Sequence, residues 1–520
     1  MLSGLKSIFR PKSAAIPPRL RPPITIRNGT RRTSATTTTR KPKLERQSPR
    51  TANYSQNDTV IIFPEEPIGI SAEDGFGHLE LTIGDELGDR GEYKLARKLG
   101  YGRYSTVWLA RPTRGRTKGD SPYFTAMKVL SQHATGRLGS HSDELRVLQR
   151  ISNPTTSHKG KDFCTTLWDA FVVDGSHQAL VLDLMAGDVK ALRFMYKNGV
   201  MPLAMTKTII GQMLVALQYL HDECRVVHAD LRPENILIAN PYPHVKLKQM
   251  LALEKPEYSP PMTVFGREVQ PIVSKPLLSA PLFPFFQLAE HQWLFRLGDF
   301  GEAQFIDDKV TDCTMPDGLR APEVIMGHPW DEKIDIWALG CLTHEFLTGR
   351  SVLDDSDMPS ARDDRDLTSL ALMIRSTGQR FPDDMLDKCN PEKVAQYFGP
   401  DSSLEDLANY SAPASIVSCL QTHNPEMAHH PHELESAAAF ISRCLALRPG
   451  DRPCAAELLK DPWLMSEPVW GLRYETDPAN ASKEETLGAM VRWFSSPYLG
   501  VVSYMTLLLG TAVFVWELIS

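Results

Sequence analysis

The sequence predicts an α+β fold in two lobes, a small strand-rich lobe at residues 93–185 and a larger helical lobe at residues 186–465. The first lobe holds short apolar stretches rich in β-branched residues, such as residues 123–130. The second holds long stretches of helical periodicity at 203–221 and 335–348. A chain of 520 residues predicts roughly two to four domains, and two such lobes account for most of its length.

A glycine-rich turn lies near the start of the small lobe, at residues 99–105. Backbone without side chains can approach phosphate groups closely, and Ser105 stands where a third glycine is usual in such turns. Taken alone, this pattern indicates an ordinary surface turn about as often as a phosphate loop. The expected nucleotide contacts here and on the neighbouring strands are Leu99, Gly100, Gly102, Val107 and Ala126.

One lysine interrupts an apolar, partly β-branched run that should form an inner strand. This residue, Lys128, is the candidate to hold the α- and β-phosphates of ATP. Its partner should be an acid at the start of the next helix, where Ser142 is a capping residue. We choose Glu144 over Asp143 because its longer side chain lies beside the apolar face of the helix and reaches toward the cleft.

Three further polar residues have the types that phosphoryl transfer needs. Asp230 is the candidate base for a substrate hydroxyl, and Asn235 and Asp299 are the candidate magnesium ligands. Asp-Phe-Gly at 299–301 alone is mostly a turn. The glycine loop, strand lysine, helix glutamate, Asp-x4-Asn and Asp-Phe-Gly nevertheless occur in one order, so chance is a negligible explanation.

That order is similar to the active-site sequence of protein kinases, and four features resemble the SR-protein kinases, which phosphorylate serines of Arg/Ser-rich splicing factors. These features are the run at 98–110 with its serine, His-Ala-Asp at 228–230, an insert at 240–292 and the segment 319–337. The resemblance covers residues 93–465. It implies a bilobal protein kinase fold, ATP and Mg²⁺ as cofactors, and Arg/Ser-rich protein substrates. It also implies a location in the cytoplasm, the nucleus or both.

Two residues depart from the usual kinase pattern. Arg232 stands where a lysine contacts the transferring phosphate, and the planar guanidinium could lower turnover. A weakly active enzyme or a pseudokinase binding module anchored to a membrane is therefore the alternative. Ala229 stands where an arginine commonly receives a phosphate of the activation loop. We therefore expect activity without phosphorylation of that loop.

Charge and cysteine content narrow the partners and the compartment. Residues 1–44 contain 11 Lys and Arg and no acid, which leaves 46 basic against 63 acidic residues in the remainder. An acidic body suits a basic peptide substrate, although many intracellular enzymes are acidic. The 8 cysteines show no Cys-x-x-Cys spacing, which favours a reducing compartment over a disulfide or zinc framework. We expect a monomer with no direct nucleic-acid binding.

Three segments lie outside this pattern. Residues 1–60 are basic and predicted to be disordered, and their many prolines make a mitochondrial presequence the less favoured alternative. The insert at 240–292 contains seven prolines from Pro256 onward and is predicted to be an exposed, irregular spacer. After a linker at 466–492, residues 493–516 carry no charge and are a candidate tail anchor. A helix packed on the kinase is the alternative for this last segment.

Overall fold

The computed structural model describes residues 52–56, 59–113, 122–137, 144–153, 157–277, 293–308, 315–353, 364–404 and 415–466. The candidate membrane segment at 493–516 lies outside these residues. So do the linker at 466–492, apart from its first residue, and most of the basic segment at 1–60. The two-lobed α+β fold predicted from the sequence is confirmed.

The small lobe is built mainly from strands. Its strands, with the hairpin that precedes them, are β1 Ala52–Gln56, β2 Thr59–Phe63, β3 Glu86–Leu87, β4 Tyr93–Tyr101, β5 Ser105–Pro112, β6 Thr125–Leu130, β7 Leu167–Val173 and β8 His177–Leu182. Its helices are α1 Gln132–Arg137 and α2 Glu144–Ser152. Strands β3 to β8 form one antiparallel sheet in the order β3-β4-β5-β6-β8-β7.

Both faces of this sheet are covered, as alternation along the strands requires. Leu109 and Leu180 face the main core, where α2 packs. Trp108 and Val181, their neighbours in sequence, face a second cluster on the opposite side. The glycine-rich turn joins β4 to β5, and Lys128 lies on the central strand β6, so the sheet fixes both relative to the cleft.

The large lobe is mainly helical. Its strands, including those of the insert, are β9 Met185–Asp188, β10 Val226–Val227, β11 Ile236–Ala239, β12 Met262–Val264, β13 Arg267–Val269, β14 Phe295–Leu297 and β15 Gln304–Phe305. Its helices are α3 Val189–Arg193, α4 Leu203–Gln218, α5 His244–Leu253, α6 Pro322–Met326, α7 Lys333–Thr348, α8 Arg365–Thr377, α9 Asp383–Leu386, α10 Pro391–Tyr397, α11 Ile416–His423, α12 Pro425–Ala428, α13 Pro431–Cys444, α14 Ala455–Leu458 and α15 Pro462–Met465.

Helices α4 and α7 form the centre of this lobe. Nearly every side chain of α7 is buried, and the helix ends at Gly349, whose φ is +75°. A Cβ at Gly349 would lie 2.1 Å from the carbonyl oxygen of Asn198, so only glycine permits this approach. Among the described residues, one helix, Leu203–Cys224, is long and apolar enough to cross a membrane. Because 78% of its 18-residue apolar window is buried, it has the character of a core helix.

The disorder predicted for residues 1–60 does not extend to their last residues. Strands β1 and β2 pair antiparallel, with Ala52 opposite Phe63 and Gln56 opposite Thr59. The β-branched run at 59–62 explains this local order, since such residues favour strands. Residues 1–51 lie outside the described residues.

The prediction of irregular chain in the insert is wrong for residues 240–277, although most of these residues are exposed, as expected. They contain the ten-residue helix α5 and the hairpin of β12 and β13, and Leu247, Met250 and Leu277 are buried. The helix escapes the prolines because it begins just after Pro243 and ends before Pro256. Residues 278–292 lie outside the described residues.

The insert and the segment before the small lobe form what we call the accessory layer, residues 61–78 and 254–277. Phe63, Ile68 and Ile70 from the first segment pack with Val264 and Val269 from the second in a separate hydrophobic cluster. Residues 254–277, which belong to the insert of the large lobe, therefore cover part of the small lobe next to β4.

Polar contacts fix the accessory layer to β4. The Lys98 ammonium donates to Glu65 Oε2 and to the Ile272 carbonyl, both at 2.9 Å, and also to Glu66. The neighbouring Arg97 binds Glu254 at 2.6 Å and the Lys275 carbonyl at 2.7 Å. The strand that leads into the glycine-rich turn is thus held by both segments.

Candidate active site

Lys128 meets two carboxylates in the cleft. Its Nζ lies 2.7 and 2.9 Å from the carboxylate oxygens of Glu144 and 2.7 Å from Oδ1 of Asp299. Burial would lower the pKa of Lys128, but Asp299 and Glu144 outweigh it and raise that pKa above its ordinary value. Lys128 in turn lowers the pKa of Asp299. The small and large lobes are therefore linked by charged groups at the site.

The strand register places the expected nucleotide contacts together. Gly100 pairs with Val107 across β4 and β5, and Val107 pairs with Lys128 across β5 and β6. Ala126 is two positions along the same strand and is 8% exposed. A Cβ built at Gly100 would meet nothing within 4 Å, so packing within the protein does not demand glycine there. A position without a side chain would let the backbone approach a phosphate closely, which is the role expected for Gly100 from the sequence.

The catalytic loop joins Asp230 to Asn235. Asn235 Nδ2 donates to both the carbonyl oxygen and Oδ2 of Asp230, each at 2.8 Å. Burial raises the pKa of Asp230 above its usual value, although His228, Arg232 and Asn235 oppose this. A raised pKa suits a carboxylate that accepts a proton during the reaction.

A buried aspartate on α7 holds the backbone of this loop. Asp335 accepts from the backbone N–H groups of His228 and Ala229 at 2.8 and 2.9 Å, and from His221 Nε2 at 2.8 Å. Ala229 has a φ of 63°, a left-handed conformation that costs a non-glycine residue energy. The two backbone hydrogen bonds that Asp335 accepts compensate for this strain and direct the loop toward the cleft.

Arg232 is engaged by a neighbouring acid. Its Nε and Nη2 lie 3.0 and 2.9 Å from the two carboxylate oxygens of Glu234, which also binds Lys190. Burial would raise the pKa of Glu234, but Arg232 and Lys190 outweigh burial and lower that pKa to about 2. A lysine at position 232 has a single nitrogen and could not pair two nitrogens with the two carboxylate oxygens. The pairing with Lys190 on α3 has no sequence signal, because it depends on how α3 packs against the loop.

The Phe300 ring completes the connection between the catalytic loop and the following segment. It is fully buried and lies edge-on to the His228 ring at 5.2 Å. Further along, Glu323 and Arg452 form a buried pair, with oxygen–nitrogen distances of 2.6 and 2.7 Å and no exposure of either side chain. This pair fixes the end of the segment to the large lobe.

The donor set fits magnesium bound together with a nucleotide. Asn235 and Asp299 offer an amide oxygen and a carboxylate, which are ligands that Mg²⁺ accepts while it retains phosphate oxygens and waters. Among the described residues, no group of three or more His, Cys, Asp and Glu could hold a metal. Such a cluster is not needed where the substrate supplies the remaining ligands.

Comparison with known proteins establishes the class. The family described as "Protein kinase domain" matches residues 93–250 and 286–464, on either side of the middle of the insert. The chain therefore belongs to the protein kinase family. A crystallised kinase domain supports the same fold, with a TM-score of 0.51 and 23% identity over 74% of this chain and 98% of that one.

Among its relatives, the resemblance to SR-protein kinases is confirmed. The serine/threonine-protein kinase SRPK of Physarum polycephalum is 26% identical over 79% of this chain and 94% of its own length. A serine/threonine protein kinase of Aspergillus fumigatus is 27% identical over 81% and 95%. The protein kinase dsk1 of Schizosaccharomyces pombe is 26% identical over 57% and 68%. The chain is a serine/threonine protein kinase.

Proposed function

We propose that this kinase transfers the γ-phosphoryl group of ATP to serines in Arg/Ser-rich protein segments, with Asp230 as the base. The observation that supports the phosphoryl-transfer part of the proposal is that Lys128 contacts Glu144 of the small lobe and Asp299 of the large lobe, while Asn235 contacts Asp230 in the loop of the large lobe. These are the groups that position a nucleotide and an attacking hydroxyl for in-line transfer.

Each residue has a defined role in this proposal. Asp230 would accept the proton of the serine hydroxyl as that oxygen bonds to the γ-phosphorus, while the bond from the γ-phosphorus to the β,γ-bridging oxygen breaks and ADP leaves. Lys128, held by Glu144, would bind the α- and β-phosphates, and Asn235 and Asp299 would hold Mg²⁺, which would neutralise charge on the phosphates. Arg232 adds a fixed positive charge beside the base. The nucleotide contacts are Leu99, Gly100, Gly102, Val107, Ala126 and Lys128.

The proposal includes activity without phosphorylation of the activation loop. Ala229 cannot pair with a phosphate, and its backbone is already held by Asp335. In the segment that follows Asp299, Arg320 is already bound by acids that carry no phosphate: it lies 2.6 Å from Asp317 and 3.3 Å from Asp366. Exposed pairs of this kind contribute only about 0–1 kcal/mol each, so Asp335 is the main support.

The substrate part of the proposal rests on the resemblance to SR-protein kinases and on charge. Outside residues 1–44 the chain has a net charge of −17, which favours association with an arginine-rich peptide over a nucleic acid. The proposal places the enzyme in the cytoplasm or nucleus as a monomer. The uncharged segment at 493–516 adds a membrane-spanning segment to it, tested by whether the full chain resists carbonate extraction from membranes.

The alternative is a weakly active or inactive kinase-shaped binding module. One observation favours it: both guanidinium contacts of Arg232 are directed to Glu234 and not toward Asp230. The complete set of Lys128, Glu144, Asp230, Asn235 and Asp299 favours the enzyme.

The experiment uses full-length protein made in bacteria and treated with phosphatase. We expect Mg-ATP to raise its melting temperature and the protein to phosphorylate an Arg-Ser repeat peptide better than a matched Lys-Ser peptide. Equal rates on both peptides would contradict the proposed substrate class. A thermal shift with no phosphorylation of either peptide would favour the binding module.

A further inference from the structure

The tip of the glycine-rich turn is in contact with a segment that precedes the region matched to the kinase family. This segment, residues 70–78, folds back on itself through backbone hydrogen bonds from Phe76 to Ser71 at 3.1 Å and from Gly77 to Ile70 at 3.0 Å. Phe76 packs against the hydrophobic cluster of the accessory layer. The segment is therefore anchored on one side.

On its other side the segment docks against the first turn of α1. The backbone N–H of Gln132 donates to the Gly77 carbonyl at 2.8 Å, and that of His133 donates to the Phe76 carbonyl at 3.2 Å. Gly77 has a φ of +74°, and a Cβ there would lie 3.0 Å from Ala72 Cβ and 3.1 Å from Gln132 Cβ. The close approach thus requires glycine.

The two consecutive carbonyls at the tip of the turn are both bound from this side. The Arg103 carbonyl lies 3.1 Å from His78 Nε2, and the Tyr104 carbonyl accepts from the Ser131 backbone at 2.8 Å. The Tyr104 ring stacks on His133 at 5.9 Å. Burial lowers the pKa of His78 to about 4, so at neutral pH the imidazole is uncharged and its Nε2 proton is the donor.

We propose that His78 is a positioning residue for the glycine-rich turn: its hydrogen bond to the Arg103 carbonyl holds the tip of the turn at the height at which its backbone binds ATP phosphates. The inference rests on the proposed kinase activity. His78 touches no reacting atom and acts through Arg103. A turn that is already ordered loses less conformational entropy when nucleotide binds, so the hydrogen bond increases nucleotide affinity.

The test compares two substitutions in the full-length chain. Glutamine at position 78 can present an amide N–H at nearly the reach of Nε2, whereas asparagine is one methylene shorter. We expect His78→Asn to raise the KM for ATP about three- to tenfold, the effect of one lost hydrogen bond. The kcat should change less than about twofold, because the lost hydrogen bond contributes equally to binding of the substrate and of the transition state. We expect His78→Gln to restore KM to within about twofold of wild type.

Amide hydrogen exchange of residues 100–105 without nucleotide gives a second readout. We expect faster exchange there in His78→Asn and wild-type exchange in His78→Gln. The matched control is His344→Asn, because His344 on α7 is also buried and its Nδ1 lies 3.1 Å from the Arg350 carbonyl. It should lower stability without changing exchange in the turn or KM.

Three results would overturn the inference: wild-type KM and exchange in His78→Asn, a His344→Asn effect of the same size, or failure of glutamine to restore KM. If His78→Asn does not fold, His78→Phe fills the same space without a donor and should raise KM equally. If the wild-type chain binds no nucleotide, the proposed function fails, and exchange in the turn still decides the role of His78.

Discussion

Two lysines of the small-lobe sheet each lie between two carboxylates, yet their surroundings differ. Lys98 on β4 binds Glu65 and Glu66, and its side chain is fully buried. Lys128 on β6 binds Glu144 and Asp299, and the Asp299 side chain is 52% exposed. The first centre is closed to ligands, whereas the second opens to the cleft. Similar ion pairs are therefore closed off in one place and, under the proposed function, form part of the active site in the other.

Lys98 and Lys128 also differ in what their ammonium groups bind besides the two carboxylates. Lys98 also donates to the Ile272 carbonyl at 2.9 Å, so its three donor positions are used within the protein. The exposed side of Asp299 is where, under the proposed function, phosphate and magnesium would bind. The charges alone do not distinguish a structural ion pair from one that faces a ligand site. The exposure of the side chains does distinguish them.

The largest expected effect concerns the open centre. Replacing Lys128 by Met should lower turnover by about a hundred- to a thousandfold, the usual loss for one preorganised electrostatic contact to a transferring group. Steady-state phosphorylation of a peptide measures this effect, with the melting temperature as the control for folding. Wild-type turnover in Lys128→Met would show that the open centre does not bind phosphate.

The same substitution at the closed centre should destabilise the fold. Lys98→Met leaves two buried carboxylates without their cation, which costs about 3–5 kcal/mol in the free energy of unfolding. Denaturant unfolding measures it, and Lys98→Met combined with Glu66→Gln should recover part of the loss. Unchanged stability in the single variant would contradict the closed character of this centre.

A smaller effect concerns the pH dependence of the closed centre. Burial raises the pKa of Glu66 above its usual 4.5, although Lys98 opposes this. The folded state then holds the proton more tightly than the unfolded state, so this group's contribution to stability is lost as pH rises through its folded-state pKa. Glu66→Gln should remove that loss, and unfolding at several pH values checks it. A stability difference from wild type that does not change with pH would contradict the assignment.

The smallest expected effect is at Arg232. Arg232→Lys gives up the two-point contact with Glu234 and offers an ammonium on a flexible stem, so we expect turnover to rise by less than about tenfold. Peptide phosphorylation at saturating ATP measures it, and Glu234→Gln is the matched control because it weakens the same contact from the other side. A fall in turnover in Arg232→Lys would show that the guanidinium itself serves the reaction.

Much of the cleft could be predicted from the sequence because phosphoryl transfer restricts residue types at short spacings. Asp230 and Asn235 are five positions apart in one loop, and the glycines of the turn are local in the same way. Lys128 and Glu144 could be paired because the lysine interrupts an apolar strand and the glutamate begins the next helix beside its apolar face. Such signals depend on neighbours in sequence and not on the whole fold.

The accessory layer could not be predicted in this way. Glu65, Lys98 and Ile272 meet across almost the whole small lobe and insert, and no local pattern links them. The prolines of the insert indicated irregular chain, but a proline-free stretch between Pro243 and Pro256 was enough for a helix. The only trace in the sequence is the adjacent pair Glu65 and Glu66 with Lys98 in a later strand, and residues so far apart form no recognisable local pattern.

Phosphorylation of an Arg-Ser repeat peptide by wild type and by Asp230→Asn, side by side, tests the central claim most directly. Both proteins should be full-length, made in bacteria and treated with phosphatase, and both should show the same thermal shift with Mg-ATP. We expect wild type to transfer phosphate to serine and Asp230→Asn to lose turnover by orders of magnitude, because the asparagine amide cannot accept the hydroxyl proton. Equal phosphorylation by both proteins, or none by wild type, would contradict the account.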